Sequence, residues 1–326
     1  MKNIIFLIFF ISLTSLNSQS NIDCNSNLSI FAEYYKVKNF EAAYEPWMSV
    51  RKDCPKINPA IYFQGSRMLE DFIKKSDGEQ KKSYQQDLLK LYDEWLVNFP
   101  AYNGRSIVGQ IISNKAQKMI DYKLASNNEI FKIFEKAYQT DPVSFDDPKP
   151  LYNYFKTYFQ LYKQGDNGIT LNQIFNKYEE LSERFNSIID QYSKQIDIII
   201  NKENSGVALT SREKRNKRVY EINSNASNIY LRNLNAIIAK ESTCENLIPL
   251  YRKNLEENKT NPVWLNRAAS RMDSKECSDD PLFVVLVELL HNLNPSANSA
   301  YYLGLLNDKK NNSEEALKFY NESIEV

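Results

Sequence analysis

Two apolar runs at helical spacing lie on either side of a short polar segment near the start of the chain. The first run is Leu28, Phe31, Tyr34 and Tyr35, and the second is Phe40, Ala43, Trp47 and Val50. Steps of three and four residues place side chains on one face of an α-helix. Residues 36–39 are mostly polar, and Pro55 follows the second run, where a helix is expected to stop. The pattern predicts a hairpin of two antiparallel helices of about 13 residues each.

Small and large residues alternate along the second helix of this hairpin. Ala43 is small at the point where the two helices approach most closely, and Phe40 and Trp47 fill the space beside it. Pro46 is awkward because a proline inside a helix removes a backbone hydrogen bond. Since the second helix is predicted to begin near residues 39–40, Pro46 lies beyond its first turn, and we expect a bend there.

Two kinds of landmark recur with the same offset in the last third of the chain. Asn-Pro pairs begin at Asn261 and Asn294, which are 33 residues apart, and Cys244 and Cys277 are also 33 residues apart. A helical repeat of about 34 residues produces such an offset. The last segment has Leu-Gly at 303–304, a polar turn, Glu-Ala at 315–316 and Phe-Tyr at 319–320. We interpret residues 243–326 as about two and a half consecutive repeats.

These patterns resemble the tetratricopeptide repeat, well over residues 24–55 and 243–326, partly over 56–142, and not in between. The resemblance implies an all-α fold, an α-solenoid of irregular helical hairpins with a concave groove lined by the first helix of each hairpin. It also implies a protein or peptide ligand in that groove, no catalysis and no cofactor. The helical face places these residues in the groove: Tyr35, Lys36, Arg267, Arg271, Tyr301 and Lys309.

Further helical pairs are predicted between residues 58 and 163. Residues 58–100 read as a degenerate repeat with Gly65 at its helix crossing and a polar insertion, residues 74–82, between its helices. Residues 105–142 fit another pair. The Pro-Lys-Pro segment at 148–150 marks a corner, and an aromatic helix follows over residues 151–163 until the glycines at 165 and 168 end it.

The middle of the chain has a different period. Steps of three and four connect Leu171, Ile174, Tyr178, Leu181, Phe185, Ile188 and Tyr192. This is the spacing of a heptad seam. After a turn at residues 201–211, a second stripe contains Val219, Ile222, Ala226, Ile229 and Ile237. We interpret residues 170–240 as a long antiparallel, coiled-coil-like hairpin inserted between two solenoid halves. Two further irregular repeats, or a coiled coil between chains, are the alternatives.

The first 20 residues have the layout of a secretory signal peptide. A short positive start precedes the apolar run Ile4–Leu13 and a small, polar stretch with a cleavage site near residues 18–20. The run is shorter than the roughly 20 residues that span a bilayer as a helix, and an uncleaved anchor is the alternative. We expect export to the periplasm or cell surface of a Gram-negative bacterium. The predicted organisation is a signal peptide (1–20), N-terminal repeats (21–165), the long hairpin (166–242) and C-terminal repeats (243–326) whose last repeat is incomplete.

Four cysteines remain after the predicted signal peptide, as expected for a chain exported to an oxidising compartment. Cys24 opens the first helix of the first hairpin and Cys54 closes the second, so antiparallel packing brings them together. Cys244 and Cys277 lie at turns of neighbouring repeats. Equivalent points of stacked repeats are usually further apart than a disulfide spans, which argues against this second bond. We predict disulfides Cys24–Cys54 and Cys244–Cys277, with free thiols as the alternative.

Side chains for catalysis or metal binding are sparse. The single histidine, His291, lies near a helix end, and no two cysteines have CxxC spacing. This argues against zinc sites, His-pair metal sites and catalytic triads. The 41 basic residues balance the 41 acidic residues, so the net charge does not favour nucleic acid. The basic run REKRNKR at 212–218 is interpreted as a solvated hairpin tip, with contact to anions as the alternative.

The sequence therefore predicts an exported scaffold that mediates protein–protein interactions in the cell envelope and does not act as an enzyme. Most of the 21 Tyr, 17 Phe and 3 Trp lie on apolar helical stripes, which indicates core packing. A carbohydrate- or peptidoglycan-binding protein that uses exposed aromatic residues is the alternative, and an enzyme with paired carboxylates is a third. The last hairpin has no capping helix before Val326, so we expect self-association through that end.

Overall fold

The computed structural model describes residues 16–165 and 168–325. Over these ranges the chain forms fourteen α-helices and one two-stranded β-hairpin, which is an all-α, helical-repeat fold. The chain divides into two compact units, the first ending at residue 166 and the second beginning at residue 167. The apolar run Ile4–Leu13 of the predicted signal peptide lies outside the described residues. Within the described ranges, no helix combines the length and the apolar character needed to cross a membrane.

Within its described residues, 16–165, the first unit consists of seven helices and the β-hairpin. Its helices are α1 (Leu16–Lys36), α2 (Phe40–Asp53), α3 (Ala60–Lys75), α4 (Gly78–Asn98), α5 (Val108–Tyr122), α6 (Asn127–Thr140) and α7 (Pro148–Gln164). Strands β1 (Ala101–Tyr102) and β2 (Arg105–Ser106) pair antiparallel between α4 and α5. The helices pack as the sequential pairs α1–α2, α3–α4 and α5–α6, and α7 packs on both helices of the last pair.

The predicted first hairpin is confirmed, although α1 is longer than predicted. Lys38 adopts the left-handed conformation in the turn, and the Asn39 side chain caps α2 by accepting a hydrogen bond from the Ala42 backbone. Phe31, Ala43, Trp47 and Val50 are fully buried and anchor the core of the first unit. Asparagine is a favoured N-cap because its side-chain oxygen satisfies an otherwise unpaired helix N–H.

Two expectations for the first unit were wrong. The polar segment 74–82 is not an insertion, because α3 continues to Lys75 and α4 starts at Gly78. Its charged side chains lie on helical turns exposed to solvent. The Pro-Lys-Pro segment is not a corner but the first turn of α7, which Asp147 caps. Proline is favoured at that position because the N–H it lacks would have had no partner within the helix.

The second unit consists of seven helices. They are α8 (Leu171–Asn204), α9 (Ser211–Ala239), α10 (Cys244–Asn258), α11 (Pro262–Ser274), α12 (Pro281–Leu293), α13 (Ala297–Lys309) and α14 (Ser313–Glu325). Helices α8 and α9 form the predicted long antiparallel hairpin. The remaining helices pack in sequence, most extensively α13 with α14 and α11 with α12. The long hairpin and the C-terminal helices therefore belong to one compact unit.

Helix α8 buries its predicted seam, but α9 does not bury its predicted stripe. Ile174, Tyr178, Leu181, Phe185 and Ile188 are buried. On α9 the buried residues are instead Ser227, Leu234 and Ile238, whereas Val219, Ile222 and Ile229 are 45%, 56% and 48% exposed. Polar and aromatic contacts set this rotation of α9: Asn223 donates to the Tyr192 hydroxyl (3.3 Å), and the Tyr192 and Tyr220 rings pack 5.9 Å apart.

Both predicted cysteine pairs lie at disulfide distance. The Cα atoms of Cys24 and Cys54 are 6.3 Å apart, and those of Cys244 and Cys277 are 5.4 Å apart. The first pair connects α1 to the end of α2. The second connects the start of α10 to the turn after α11, so it joins the two ends of a helical pair. Both separations fall within the range that a disulfide spans without backbone movement.

Candidate functional site

A cavity of about 620 Å³ opens in the first unit, between α3 and α5 with α4 behind them. Helices α3 and α5 are the first helices of two successive hairpins. The cavity lies within the size range of ordinary ligand pockets. It is lined by Pro59, Phe63, Ser66, Arg67, Glu70, Tyr92, Trp95, Tyr102, Ile107, Gln110, Asn114, Lys118 and Asp147. We call it the α3–α5 cavity.

Aromatic side chains form one wall of the α3–α5 cavity. Tyr92 is buried, Phe63 and Trp95 are half-buried, and Tyr102 on β1 is 51% exposed. The Tyr92 and Trp95 rings stack with centroids 6.0 Å apart. The buried Nε1 of Trp95 has no hydrogen-bond partner in the described part of the chain. An indole N–H buried without a partner is costly.

Charged and amide side chains form the rim of the cavity. Glu70 on α3 and Lys118 on α5 form an ion pair at 2.8 Å across the cavity. Asp147 caps α7 by accepting a hydrogen bond from the Lys149 backbone (3.2 Å). Burial raises the pKa of Asp147, and the Lys149 hydrogen bond and the charges of Lys149 and Lys118 oppose that shift only in part.

Arg67 is the one cation lining this cavity that forms no ion pair with another described residue. Its side chain is exposed and lies one turn after Phe63 on α3. Side chains four residues apart lie on the same face of a helix. A guanidinium next to an aromatic surface therefore faces the opening, and guanidinium groups bind carboxylates through paired N–H donors.

The β-hairpin holds Tyr102 at the cavity. Asn103 and Gly104 form its turn, both with positive φ (49° and 74°), which asparagine and glycine tolerate. Ser106 on β2 donates a hydrogen bond to the Asp141 carboxylate (2.6 Å) at the end of α6. Gly109 lies so close to the Asp141 carbonyl that a side chain at this position would clash with it. These contacts fix β2 and α5 against the end of α6.

The two carboxylates that line the cavity already have partners within the chain. Glu70 and Lys118 neutralise each other, and the Asp147 carboxylate holds a helix end. The Ser66 hydroxyl donates to the Phe63 carbonyl (3.0 Å). Over the described ranges, no group of three or more His, Cys, Asp and Glu side chains could hold a metal ion. The remaining features are an aromatic wall, an unpaired guanidinium and an unpaired indole N–H.

The six residues predicted to line a groove do not lie at this cavity. Tyr35 packs inside the first hairpin, with its ring centroid 5.9 Å from Phe31 and 5.4 Å from Phe40. Lys36 is exposed at the last position of α1. Tyr35 is thus half-buried in the packing of the first hairpin, and Lys36 is exposed beside it.

Arg267 and Arg271, both on α11, bind carboxylates on α8. Both guanidinium groups bind the Glu179 carboxylate, Arg271 at 2.9 Å, and Arg267 also binds Glu183 at 2.8 Å. Arg271 lies 4.6 Å above the Tyr178 ring. The two arginines thus connect α11 to the long hairpin, and both also line a second cavity, of about 410 Å³.

Tyr301 and Lys309 both lie on α13 and have different surroundings. Tyr301 is 44% exposed and its ring contacts Tyr302 and Tyr320. Lys309 binds the Asp279 carboxylate at 2.8 Å and the Ser278 hydroxyl at 2.7 Å. Of this pair, Tyr301 keeps a substantial exposed surface.

The sequence contained two signals for the cavity that periodicity alone does not reveal. Asn103-Gly104 is the typical dipeptide of a tight β-hairpin turn, and it follows directly after Tyr102. Phe63 and Arg67 are spaced by four on a predicted helix. Neither signal identifies Asn114 or Lys118, which come to the cavity only through packing. No protein-family model matches the chain, and no curated protein shows a significant match to it.

Proposed function

We propose that this chain is an exported, tetratricopeptide-like scaffold that binds an extended segment of a partner protein in the α3–α5 cavity. The observation that carries the proposal is the exposed guanidinium side chain of Arg67, which has no ion-pair partner in the described part of the chain, beside the aromatic wall of the cavity. An extended peptide can supply a carboxylate for the guanidinium and an apolar side chain for the wall.

Export is supported by the cysteines and by the predicted signal peptide. The four cysteines form two pairs at disulfide distance, which persist in oxidising compartments. A location in the cell envelope of a Gram-negative bacterium, as the sequence predicts, would expose the cavity to the unfolded or extended parts of other envelope proteins. A scaffold role without catalysis accords with a cavity whose two carboxylates already have partners within the chain.

The test uses the full chain with its disulfides formed. A phage-displayed library of random eight-residue peptides is selected on the immobilised protein, and the enriched peptides are measured by fluorescence anisotropy. We expect enriched peptides with an acidic residue near an aromatic or aliphatic residue. Arg67→Glu and Tyr102→Ala should each weaken binding at least tenfold, because each removes a ligand contact on an exposed side chain.

Lys82→Glu provides the control for the charge reversal. Lys82 is exposed on α4 and pairs only with Glu79 at 2.7 Å. It does not line the cavity, so peptide affinity should be unchanged. Equal weakening by Lys82→Glu and Arg67→Glu would indicate a non-specific charge effect and would exclude the cavity as the binding site.

Carbohydrate binding is the second candidate, and one observation favours it. Tyr102 is an exposed ring beside Gln110 and Asn114, and sugars bind by stacking on aromatic faces next to amide groups. Co-sedimentation with isolated cell-wall sacculi distinguishes the two candidates. Binding to sacculi that Tyr102→Ala abolishes and Arg67→Glu spares would favour the sugar, whereas dependence on Arg67 without sacculus binding favours the peptide.

A further inference from the structure

Helix α9 carries an apolar stripe whose large side chains stay about half exposed in the described part of the second unit. It consists of Val219, Ile222, Ala226 and Ile229, and we call it the α9 stripe. Its steps of three and four residues place the four side chains on one face of the helix. The three large members are 45–56% exposed. The buried residues Ser227, Leu234 and Ile238 lie on a different side of α9, about a third of a turn from the stripe.

Unpaired cations flank the α9 stripe at its N-terminal end. Arg212, Lys214, Arg215 and Arg218 are exposed, and none forms an ion pair with a described residue. The neighbouring cations differ: Lys202 binds Glu213 at 2.5 Å, and Lys217 binds Glu203 at 3.0 Å. At the end of the α8–α9 hairpin, Lys202 and Lys217 are therefore neutralised by glutamates. The other four cations form an exposed basic cluster next to the α9 stripe.

We propose that the α9 stripe is a docking site for an acidic amphipathic helix of a partner protein. The spacing of the stripe is that of a helix–helix seam, in which apolar side chains of one helix fit between those of another. The basic cluster requires carboxylates on the partner next to its apolar residues, because opposite charges at the edges of a seam select partner and orientation.

Two other occupants fit the stripe less well. A membrane surface favours a broad apolar face with aromatic residues, but this stripe is narrow, contains no aromatic residue, and has Asn225 and Asn228 beside it. A second copy of the chain would bring a second basic cluster in a parallel pairing. In an antiparallel pairing the cluster would face Asn233 and Ala236, which carry no charge. Only an acidic partner neutralises the four cations.

The test is fluorescence anisotropy of a labelled three-heptad helical peptide with leucine at its seam positions and glutamate at the flanking positions. A matched peptide carries lysine in place of glutamate. We expect the glutamate peptide to bind the full, disulfide-bonded chain at least tenfold more tightly than the lysine peptide. Raising the salt concentration should reduce this preference because screening weakens surface charge pairs.

Two sets of variants locate the binding. The double variant Ile222→Asp with Ile229→Asp should bind the glutamate peptide at least tenfold more weakly. The double variant Arg215→Glu with Arg218→Glu should bind the glutamate peptide more weakly and the lysine peptide more tightly. Ile198→Asp is the matched control, since Ile198 is 62% exposed on α8 and lies off the stripe. All these positions are exposed, and circular dichroism of each variant checks that it is folded.

The remaining outcomes overturn the proposal. One is equal binding of the glutamate and lysine peptides, and another is weakening of glutamate-peptide binding by Ile198→Asp to the same extent as by the stripe variants. Stripe-dependent binding to anionic lipid vesicles, without binding of the peptide, would assign the stripe to a membrane. A dimer in sedimentation velocity that the stripe variants dissociate would assign it to a second copy of this chain. None of these results depends on the α3–α5 cavity.

Discussion

Gly65 on α3 lies directly against the indole ring of Trp47 on α2. A Cβ atom at position 65 would be 2.5 Å from Trp47 Nε1, closer than side chains approach each other in folded proteins. The same Nε1 donates a hydrogen bond to the Ile61 carbonyl (2.7 Å) one turn earlier on α3. The glycine thus allows a buried tryptophan of one hairpin to reach the backbone of the next, which joins two successive repeats.

We therefore expect Gly65→Ala to destabilise the chain by about 1–3 kcal/mol, the usual cost of overpacking a core. Alanine favours helix over glycine by about 1 kcal/mol, so a stabilised variant would contradict the close contact. The measurement is the free energy of unfolding in urea. In a Trp47→Phe background, where the overlapping indole atoms are absent, the cost of Gly65→Ala should be smaller.

The Cys244–Cys277 bond should contribute about 3–4 kcal/mol by restricting a loop of this length in the unfolded chain. The two cysteines are separated by 33 residues. We expect Cys244→Ser with Cys277→Ser to lower the free energy of unfolding by that amount under oxidising conditions and to have little effect in dithiothreitol. Intact mass before and after reduction checks both bonds. Labelling of all four thiols by iodoacetamide in the unreduced chain would show that neither pair is bonded.

Arg271 should be essential for the contact between α11 and the long hairpin. Its guanidinium donates to Glu179 and to the Tyr251 hydroxyl, each at 2.9 Å. Burial by itself lowers the pKa of Arg271, but Tyr251, Tyr178 and Glu179 outweigh it and raise that pKa above the usual value. Removing Arg271 leaves Glu179 bound to Arg267 alone and takes away the donor to the Tyr251 hydroxyl, so we expect a cost of about 1–3 kcal/mol.

Urea unfolding of Arg271→Ala tests this expectation, with Arg232→Ala as the control because Arg232 is exposed on α9. A double-mutant cycle with Glu179→Gln should give a coupling energy well above the few tenths of a kcal/mol found for independent sites. Additive effects of the two substitutions would mean that the contact has no net energetic role.

The hairpin tip should loosen in acid. The hydrogen bonds from Lys202 and from the Thr210 backbone and hydroxyl lower the pKa of Glu213 from 4.5 to about 2. A carboxyl with a depressed folded-state pKa stabilises the fold above its unfolded pKa, and this contribution is lost as the pH falls through the folded-state value. The loss therefore spans pH 4.5 to about 2.

Titration of the Glu213 carboxyl by NMR is the measurement for this prediction. Lys202→Met should raise the midpoint toward 4.5, because it removes the largest cause of the shift. A midpoint near 4.5 in the unaltered chain would show that the carboxyl is not held at the turn between α8 and α9.

Local pattern was sufficient for the elements themselves. Steps of three and four residues predicted the pairs α1–α2, α5–α6 and α8–α9, and cysteine positions at helix ends predicted both pairings. These features depend on neighbours within a few turns, so the chain encodes them directly. The Pro-Lys-Pro segment carries two conflicting local signals, because proline interrupts a helix interior but is favoured in the first helical turn. The structure shows that the second applies here.

The sequence by itself indicated that the chain forms helices in antiparallel pairs and which cysteines come close together. Only the tertiary structure decided which face of α9 is buried, that Arg267 and Arg271 bind Glu179, and that Phe63, Trp95 and Tyr102 share one cavity. The physical reason is that periodicity defines the faces of a helix, whereas its rotation about its own axis follows from contacts with residues that are distant in the chain. In α9 the contacts of Asn223 and Tyr220 with Tyr192 accompany a rotation that leaves the apolar stripe exposed.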